Sequence, residues 1–361
     1  MSDASYKKLA RVLDTLPNGF PATEDGIELK ILKRIFTPEE AELFCQLKLS
    51  FETTEQIADR IDMTLEELAP KLETMEKKGQ IFGVDLGEVK LYKMLPWVFG
   101  IYEMQMPHLD REMAEMCEAY AETFGKQFFE NKPQLMQVIP IESEIEGEHQ
   151  TLSYERVSNI IENSQSFMVM DCICKKEKAL MGEPCDRPMR VCTAYAPIPN
   201  FFDNHPYGTP MTKEEAYELL KKTEEEALVH LTWNVQSGHY FICNCCGCCC
   251  GVLRGINELG IKAGDVINSN YYAQIDPELC TACGVCADER CQVHAIEEGD
   301  EAYEVVPEKC IGCGLCVTTC PTEAISLVRK PEEEIETPPK DEMDWFEVRA
   351  KMRGVDISEF K

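Results

Sequence analysis

Apolar positions in the first third of the chain recur at helical spacing. Leu9, Val12, Leu13 and Leu16 share one face of residues 6–16 before P-N-G-F-P breaks the run. Ile27, Ile31, Leu32 and Ile35 form a second stripe. Thr37-Pro38-Glu39-Glu40 is a helix start: threonine caps, proline suits the first helical position, and Glu40 completes a capping box. Further starts fall near Thr54 and at Thr64, with Glu67 three residues on, and Gly79 ends the last of these helices. The helix Leu65 to Lys78 is interrupted by Pro70. Q-I-F-G-V-D-L-G-E-V-K-L-Y then alternates as a hairpin turning between Asp85 and Glu88. Leu109, Met113, Met116, Tyr120, Phe124 and Phe128 predict one amphipathic helix over 107–131, with Cys117, like Cys45, a buried thiol within a helix.

The pattern changes after E-S-E-I-E-G-E-H-Q, an acidic break at 142–150. A helix over 154–163 precedes S-F-M-V-M-D-C-I-C, a buried strand whose period of two puts Cys172 and Cys174 on one face. Thr212 and Glu215 open a helix running to about Leu228, after which L-V-H-L-T-W-N and H-Y-F-I-C read as strands. Beyond Val328, R-K-P-E-E-E-I-E-T-P-P-K reads as a linker, and Trp345, Phe346, Val348 and Met352 suit a short docking helix.

Composition narrows the chemistry. A chain of 361 residues, 44% hydrophobic, is globular and long enough for two to four domains. No apolar run approaches the roughly 20 residues that span a bilayer, and M-S-D-A-S-Y-K-K lacks the apolar core of a secretory signal, so a cytoplasmic location is expected. A formal charge of −29 argues against nucleic acid and suits steering toward a basic patch on a redox partner. Twenty cysteines in such a chain mean metal or thiol chemistry rather than disulfides, and the oxygen lability of clusters points to an anaerobic host.

Eight of the cysteines form a repeat. D-P-E-L-C at Asp276 and V-P-E-K-C at Val306 stand thirty positions apart, each followed by a three-cysteine run. Cys310, Cys313, Cys316, Cys320 and Pro321 follow C-x2-C-x2-C-x3-C-P, whereas in Cys280, Cys283, Cys286 and Cys291 the last gap is longer by one and Gln292 replaces proline. Zinc would need two CxxC hooks per ion instead. The segment resembles the bacterial two-cluster ferredoxins. That resemblance implies a βαββαβ fold and two [4Fe-4S] clusters, one on Cys280, Cys283, Cys286 and Cys320, the other on Cys310, Cys313, Cys316 and Cys291.

Helix, helix, helix, hairpin over residues 22–95 is similar to a winged helix, with T-T-E-Q-I-A-D-R-I-D-M-T-L-E-E-L as its helix-turn-helix. Its 16 acidic against 10 basic residues would be repelled by a duplex, so a protein-contact or homo-oligomerisation module is expected rather than a DNA reader.

Between these segments lie ten more cysteines: Cys172, Cys174, Cys185, Cys192, and the run Cys243, Cys245, Cys246, Cys248, Cys249, Cys250. They are read as ligands of one or more further Fe–S clusters; a structural zinc and a reactive dithiol are the alternatives. The N-C-C-G-C-C-C-G-V-L-R-G segment is similar to uncharacterised iron–sulfur proteins of anaerobic bacteria.

The fold expected is α+β and multi-domain: an N-terminal helix (1–21), a winged-helix-like domain (22–95), a helical connector (96–150), a Cys-rich α/β domain (151–268), a ferredoxin-type domain (269–330), and an acidic linker with a docking helix (331–361). No catalytic base, nucleophile triad, GxGxxG or GxxxxGK[ST] is present. The function expected is therefore electron transfer as a subunit of a larger oxidoreductase, with any flavin on a partner subunit. A thiol/disulfide reductase and a redox-responsive regulator are the competing classes.

Overall fold

A computed structural model describes residues 3–145, 155–203, 205 and 207–361. Residues 146–150 of the acidic break and Tyr154, where the next helix was expected to begin, lie outside the described residues. The chain forms two compact units, one of residues 3–131, 179–183 and 346–361, the other of 132–178 and 184–345.

The first unit is helical with a small sheet. Helix Ala4–Thr15 packs on Ile27–Ile35 and Pro38–Phe44, burying Leu9, Leu13, Ile31, Leu32 and Phe44. The capping box forms as expected: Thr37 Oγ1 accepts from the Glu40 N–H at 3.3 Å and Glu40 Oε2 from the Thr37 N–H at 2.8 Å. The start expected near Thr54 is helix Thr54–Ile61, which Thr53 caps through Gln56. Pro70 does not interrupt Leu65–Lys77. It is exposed, as is Glu66, whose carbonyl loses its N–H partner to the proline ring and can be hydrated instead, while Leu68, Leu72 and Met75 stay buried on the opposite face. The hairpin Ile81–Asp85 and Lys90–Met94 is joined on its second strand by Glu52–Thr53, giving an antiparallel three-stranded sheet.

Helix Arg111–Phe129 starts on Asp110, whose carboxylate accepts from the Met113 N–H at 2.9 Å. Arg349 closes its other end: fully buried, it lies 4.3 Å over the Phe128 ring and donates to the carbonyls of Pro17, Phe128 and Asn131 at 3.1, 2.5 and 2.5 Å. Arg349 belongs to helix Glu342–Arg353, of whose four expected docking residues Trp345 and Phe346 are buried while Val348 and Met352 are exposed.

A seven-stranded sheet organises the second unit. Its order is Ile267–Asn268, Met136–Val138, Val229–Trp233, Phe241–Cys245, Arg190–Ala196, Ser166–Asp171, Thr209–Met211, antiparallel except for the first pair. Helices Val157–Glu162 and Lys213–Glu225 cover one face through Ile160, Ile161, Ala216 and Leu220, against Phe167, Tyr195 and Ile242. Alternation sends Cys192, Cys243 and Cys245 to the other face. The expected strand through Cys174 is shorter. It ends at Asp171 after a register shift, and Cys174 stands in the first turn of helix Ile173–Leu180. Cys172 immediately precedes that helix, where the Lys175 N–H helps to favour its thiolate.

In the C-terminal part Tyr271–Ile275 pairs with Ile325–Arg329 and Ile296–Glu298 with Tyr303–Val305, both antiparallel. Each pairing joins a strand from one half of the cysteine repeat to a strand from the other half.

Replacing Arg349 with alanine strands three buried carbonyls. We expect R349A to lower the unfolding free energy by about 3 kcal/mol and R349K to recover only part, since an ammonium cannot serve three acceptors in a fork. A loss under about 1 kcal/mol in denaturant titration would show that water replaces the guanidinium.

Candidate metal centres

The two cysteine loops near the C-terminus are built alike. Gly284 and Gly314 adopt φ of +79° and +83°, and Ala282 and Gly312 adopt +52° and +62°, each pair thirty positions apart. At Gly312 a side chain is excluded outright, because a Cβ would stand 2.2 Å from the Tyr271 carbonyl oxygen. The extra residue before Cys291 is absorbed by a π-helical turn, Cys286–Arg290, closed by the Cys291 N–H on the Cys286 carbonyl at 3.1 Å. Beyond it the geometry realigns: the Ala295 N–H donates to Cys291 Sγ at 3.1 Å, as the Ala324 N–H does to Cys320 Sγ at 3.3 Å. Cys280 and Cys310 receive N–H bonds from Ala282 and Ala273, both at 3.4 Å.

A cavity in this segment is lined by Cys280, Cys283, Cys286 and Cys320 together with Ile275 and Tyr303. Cys291, Cys310, Cys313 and Cys316 are close enough to feel one another's charge. Burial pushes the Cys286 thiol up to about 11 and that of Cys313 up to about 12, and raises Cys291 and Cys316 as well. Such thiols ionise when a cation arrives to offset the buried charge.

The ten central cysteines divide into two sets. In six of them each thiol's acidity is set chiefly by two of the others, in a closed circuit running Cys172, Cys174, Cys250, Cys245, Cys243, Cys192 and back to Cys172. The register opposing Thr193 to Ile242 sets Cys192 beside Cys243, and period two adds Cys245. Acidity alternates around the ring. Hydrogen bonds from Cys174 and Cys192 hold Cys172 well below the ordinary thiol range, those from Cys174 and Cys245 do the same for Cys250, and those from Cys192 and Cys245 bring Cys243 down to about 6. The three donors are raised correspondingly. Cys250 stands at the N-cap of helix Gly251–Asn257, where the Leu253 and Val252 N–H groups further favour its thiolate.

The remaining four are Cys185, Cys246, Cys248 and Cys249, whose sulfurs all lie within 4.8 Å of one another. Cys185 to Cys246 is 3.8 Å, Cys185 to Cys248 3.5 Å, Cys246 to Cys248 3.4 Å and Cys248 to Cys249 3.6 Å. A hydrogen bond from Cys249, helped by the Lys175 charge, brings Cys246 down to about 6. Burial and the neighbouring Cys246 push Cys248 up to about 12. Lys175, itself buried, interacts with both Cys172 and Cys246 and thus serves both sets.

Gln292, the residue in place of the usual proline, joins the two regions. Its Oε1 accepts from the Gly247 N–H at 3.0 Å and its carbonyl from Asn257 Nδ2 at 3.0 Å. Sequence reasoning noted the departure but not its purpose, and it did not single out Lys175 or the four-and-six division.

Fer4, a 4Fe-4S binding domain, matches residues 303–326, a span that holds Cys310, Cys313, Cys316 and Cys320. This is an iron–sulfur protein. No curated protein matches the chain. Among the described residues no helix is long and apolar enough to cross a membrane.

A Cβ on Gly247 would stand 2.0 Å from the Gln292 carbonyl oxygen, whereas one on Gly251 meets nothing within 4 Å. G247A should therefore lower stability by about 2 kcal/mol and reduce bound metal, with G251A near wild type. Equal metal content and melting temperature in the two variants would contradict this tight packing.

Proposed function

We propose that this protein carries single electrons between redox partners through two [4Fe-4S] clusters and a further centre at the six-thiol ring, as a subunit of a larger oxidoreductase. The observation that carries the reading is the cavity at Cys280, Cys283, Cys286 and Cys320, since it gathers three cysteines of one run with the last cysteine of the other. That is the ligand exchange of the two-cluster ferredoxins, and it leaves Cys291 to complete the set of Cys310, Cys313 and Cys316. Each cluster, when bound, supplies a one-electron couple whose potential its surroundings adjust. The chain's part is to bury the thiolates and to donate N–H groups to sulfur, at Cys280, Cys291, Cys310 and Cys320.

Gln292 gives the wire an inward end. From Cys291 the covalent chain runs one residue to Gln292, then across the 3.0 Å hydrogen bond to Gly247, between Cys246 and Cys248. The charge of −29 favours a partner with a basic face. The helices and three-stranded sheet over residues 27–94 support reading the N-terminal segment as a winged-helix-like contact module, with 16 acidic against 10 basic residues over 22–95 opposing DNA binding.

Paired substitutions test the ligand exchange on the anaerobically purified protein. C280S/C320S is expected to lose about four irons with their sulfides, and C310S/C320S about eight, because the second pair strikes both clusters. Reversed losses would mean that each run serves its own cluster. Iron-free, colourless protein would end the electron-transfer reading.

A further inference from the structure

We propose that Cys185, Cys246, Cys248 and Cys249 hold one metal ion in tetrahedral, all-thiolate coordination, zinc or mononuclear iron, separate from every iron–sulfur cluster of the protein. The argument is one of spacing. Four thiolates each about 2.3 Å from a common ion lie about 3.8 Å apart along the edges of a tetrahedron. Four of the six separations run from 3.4 to 3.8 Å, and no pair exceeds 4.8 Å. The thiolates of a cubane each ligate a different iron from outside the cluster, so they cannot crowd into one ion's coordination sphere. Among the described residues no other set of three or more ligand groups is gathered this tightly, the ferredoxin cysteines and the six-thiol ring included.

The surroundings suit such an ion. A divalent metal with four thiolates carries two net negative charges, and the buried Lys175 lies beside Cys246. The Arg187 N–H donates to Cys185 Sγ at 3.4 Å, the kind of contact that orients a ligand. Cys246 and Cys249 are buried and Cys248 is exposed, which gives the ion an entry path from solvent. All four thiols come from the protein, so no position is left open and the site is a structural or one-electron centre rather than a hydrolytic one. Two short stretches are pinned together: the loop at Cys185 and the Cys246–Cys249 turn on which Gln292 docks. The proposal is independent of the electron-transfer reading, since the ferredoxin clusters and this ion use different cysteines.

The test is metal and acid-labile sulfide analysis of the full chain purified without oxygen, alongside C185S, C248S and, as a remote control, C45S. The expected result is that C185S and C248S each lose one metal atom per chain with sulfide unchanged, while C45S loses nothing. Zinc and iron are told apart by which element falls. If zinc, absorption at its X-ray edge shows only sulfur near about 2.3 Å and no metal neighbour; if iron, oxidised protein gives a high-spin mononuclear ferric signal that C185S abolishes. Iron and sulfide lost in equal amounts would overturn the proposal in favour of a cluster. So would wild-type protein with no such ion and a Cys246–Cys248 disulfide, the mark of a reactive dithiol. Should the variants fail to fold, the X-ray and ferric signals of the wild type decide alone: their absence refutes the site.

Discussion

The placement of sulfur in the second unit depends on one strand register. Thr193 faces Ile242 across the pair Arg190–Ala196 and Phe241–Cys245. A slip of one residue would turn Cys243 and Cys245 into the apolar face that Ile160, Leu220 and Tyr195 fill, and bring Ile242 and Asn244 among the thiols. Buried polar contacts prevent the slip. Asn244 Nδ2 donates to the Val191 carbonyl at 2.6 Å, its Oδ1 accepts from Thr223 at 3.1 Å, and Thr193 Oγ1 donates to the Ile242 carbonyl at 2.9 Å. None of these groups could be hydrated where it sits, so each would be stranded by a shifted pairing. The hydrogen bonds thus act less as stabilisers than as selectors of one alignment, and that alignment brings six thiols into a ring.

Both departures from the repeat near the C-terminus fall at the point where the ferredoxin segment meets the Cys-rich loop. The extra residue before Cys291 closes a π turn, and Arg290 at its end donates to the carbonyls of Glu224, Glu225 and Leu315 at 2.9, 2.9 and 3.0 Å. Gln292 then offers the side-chain acceptor and backbone carbonyl that Gly247 and Asn257 engage. Proline at 292 would keep the carbonyl but lose the side-chain acceptor. In the regular half of the repeat the corresponding Pro321 is exposed.

Much of this architecture was legible in the sequence, because it rests on local rules. The capping boxes at Thr37 and Thr212 and the hairpin through Gly87 each follow from a few adjacent residues, and the helix expected over 107–131 forms as Arg111–Phe129. The cysteine repeat was legible for the same reason. What was not legible is set by distant pairing. Cys174 was assigned to a strand because alternation continues through it, while the register shift after Met170 and the Lys175 N–H on Cys172 are properties of the folded neighbourhood. The division of ten cysteines into four and six depends on strands whose order bears no relation to their sequence, and no count of spacings could have found it.

Acidity sharpens the question of how so many thiolates stay together. A chain with a formal charge of −29 has little positive charge to spare, yet Lys175 is buried between the two central sets and Arg290 beside the ferredoxin loops. Backbone N–H groups supply much of the rest: at Cys280, Cys291 and Cys320 they come from the residues that follow each sulfur, and at Cys310 from Ala273 in the strand Tyr271–Ile275. These donors are neutral overall, so they orient and stabilise anionic sulfur without adding countercharge. Bound metal would meet the net charge of such thiolates. Because buried thiolates with so few cations nearby would repel one another, metal bound at these cysteines would also stabilise the fold that gathers them.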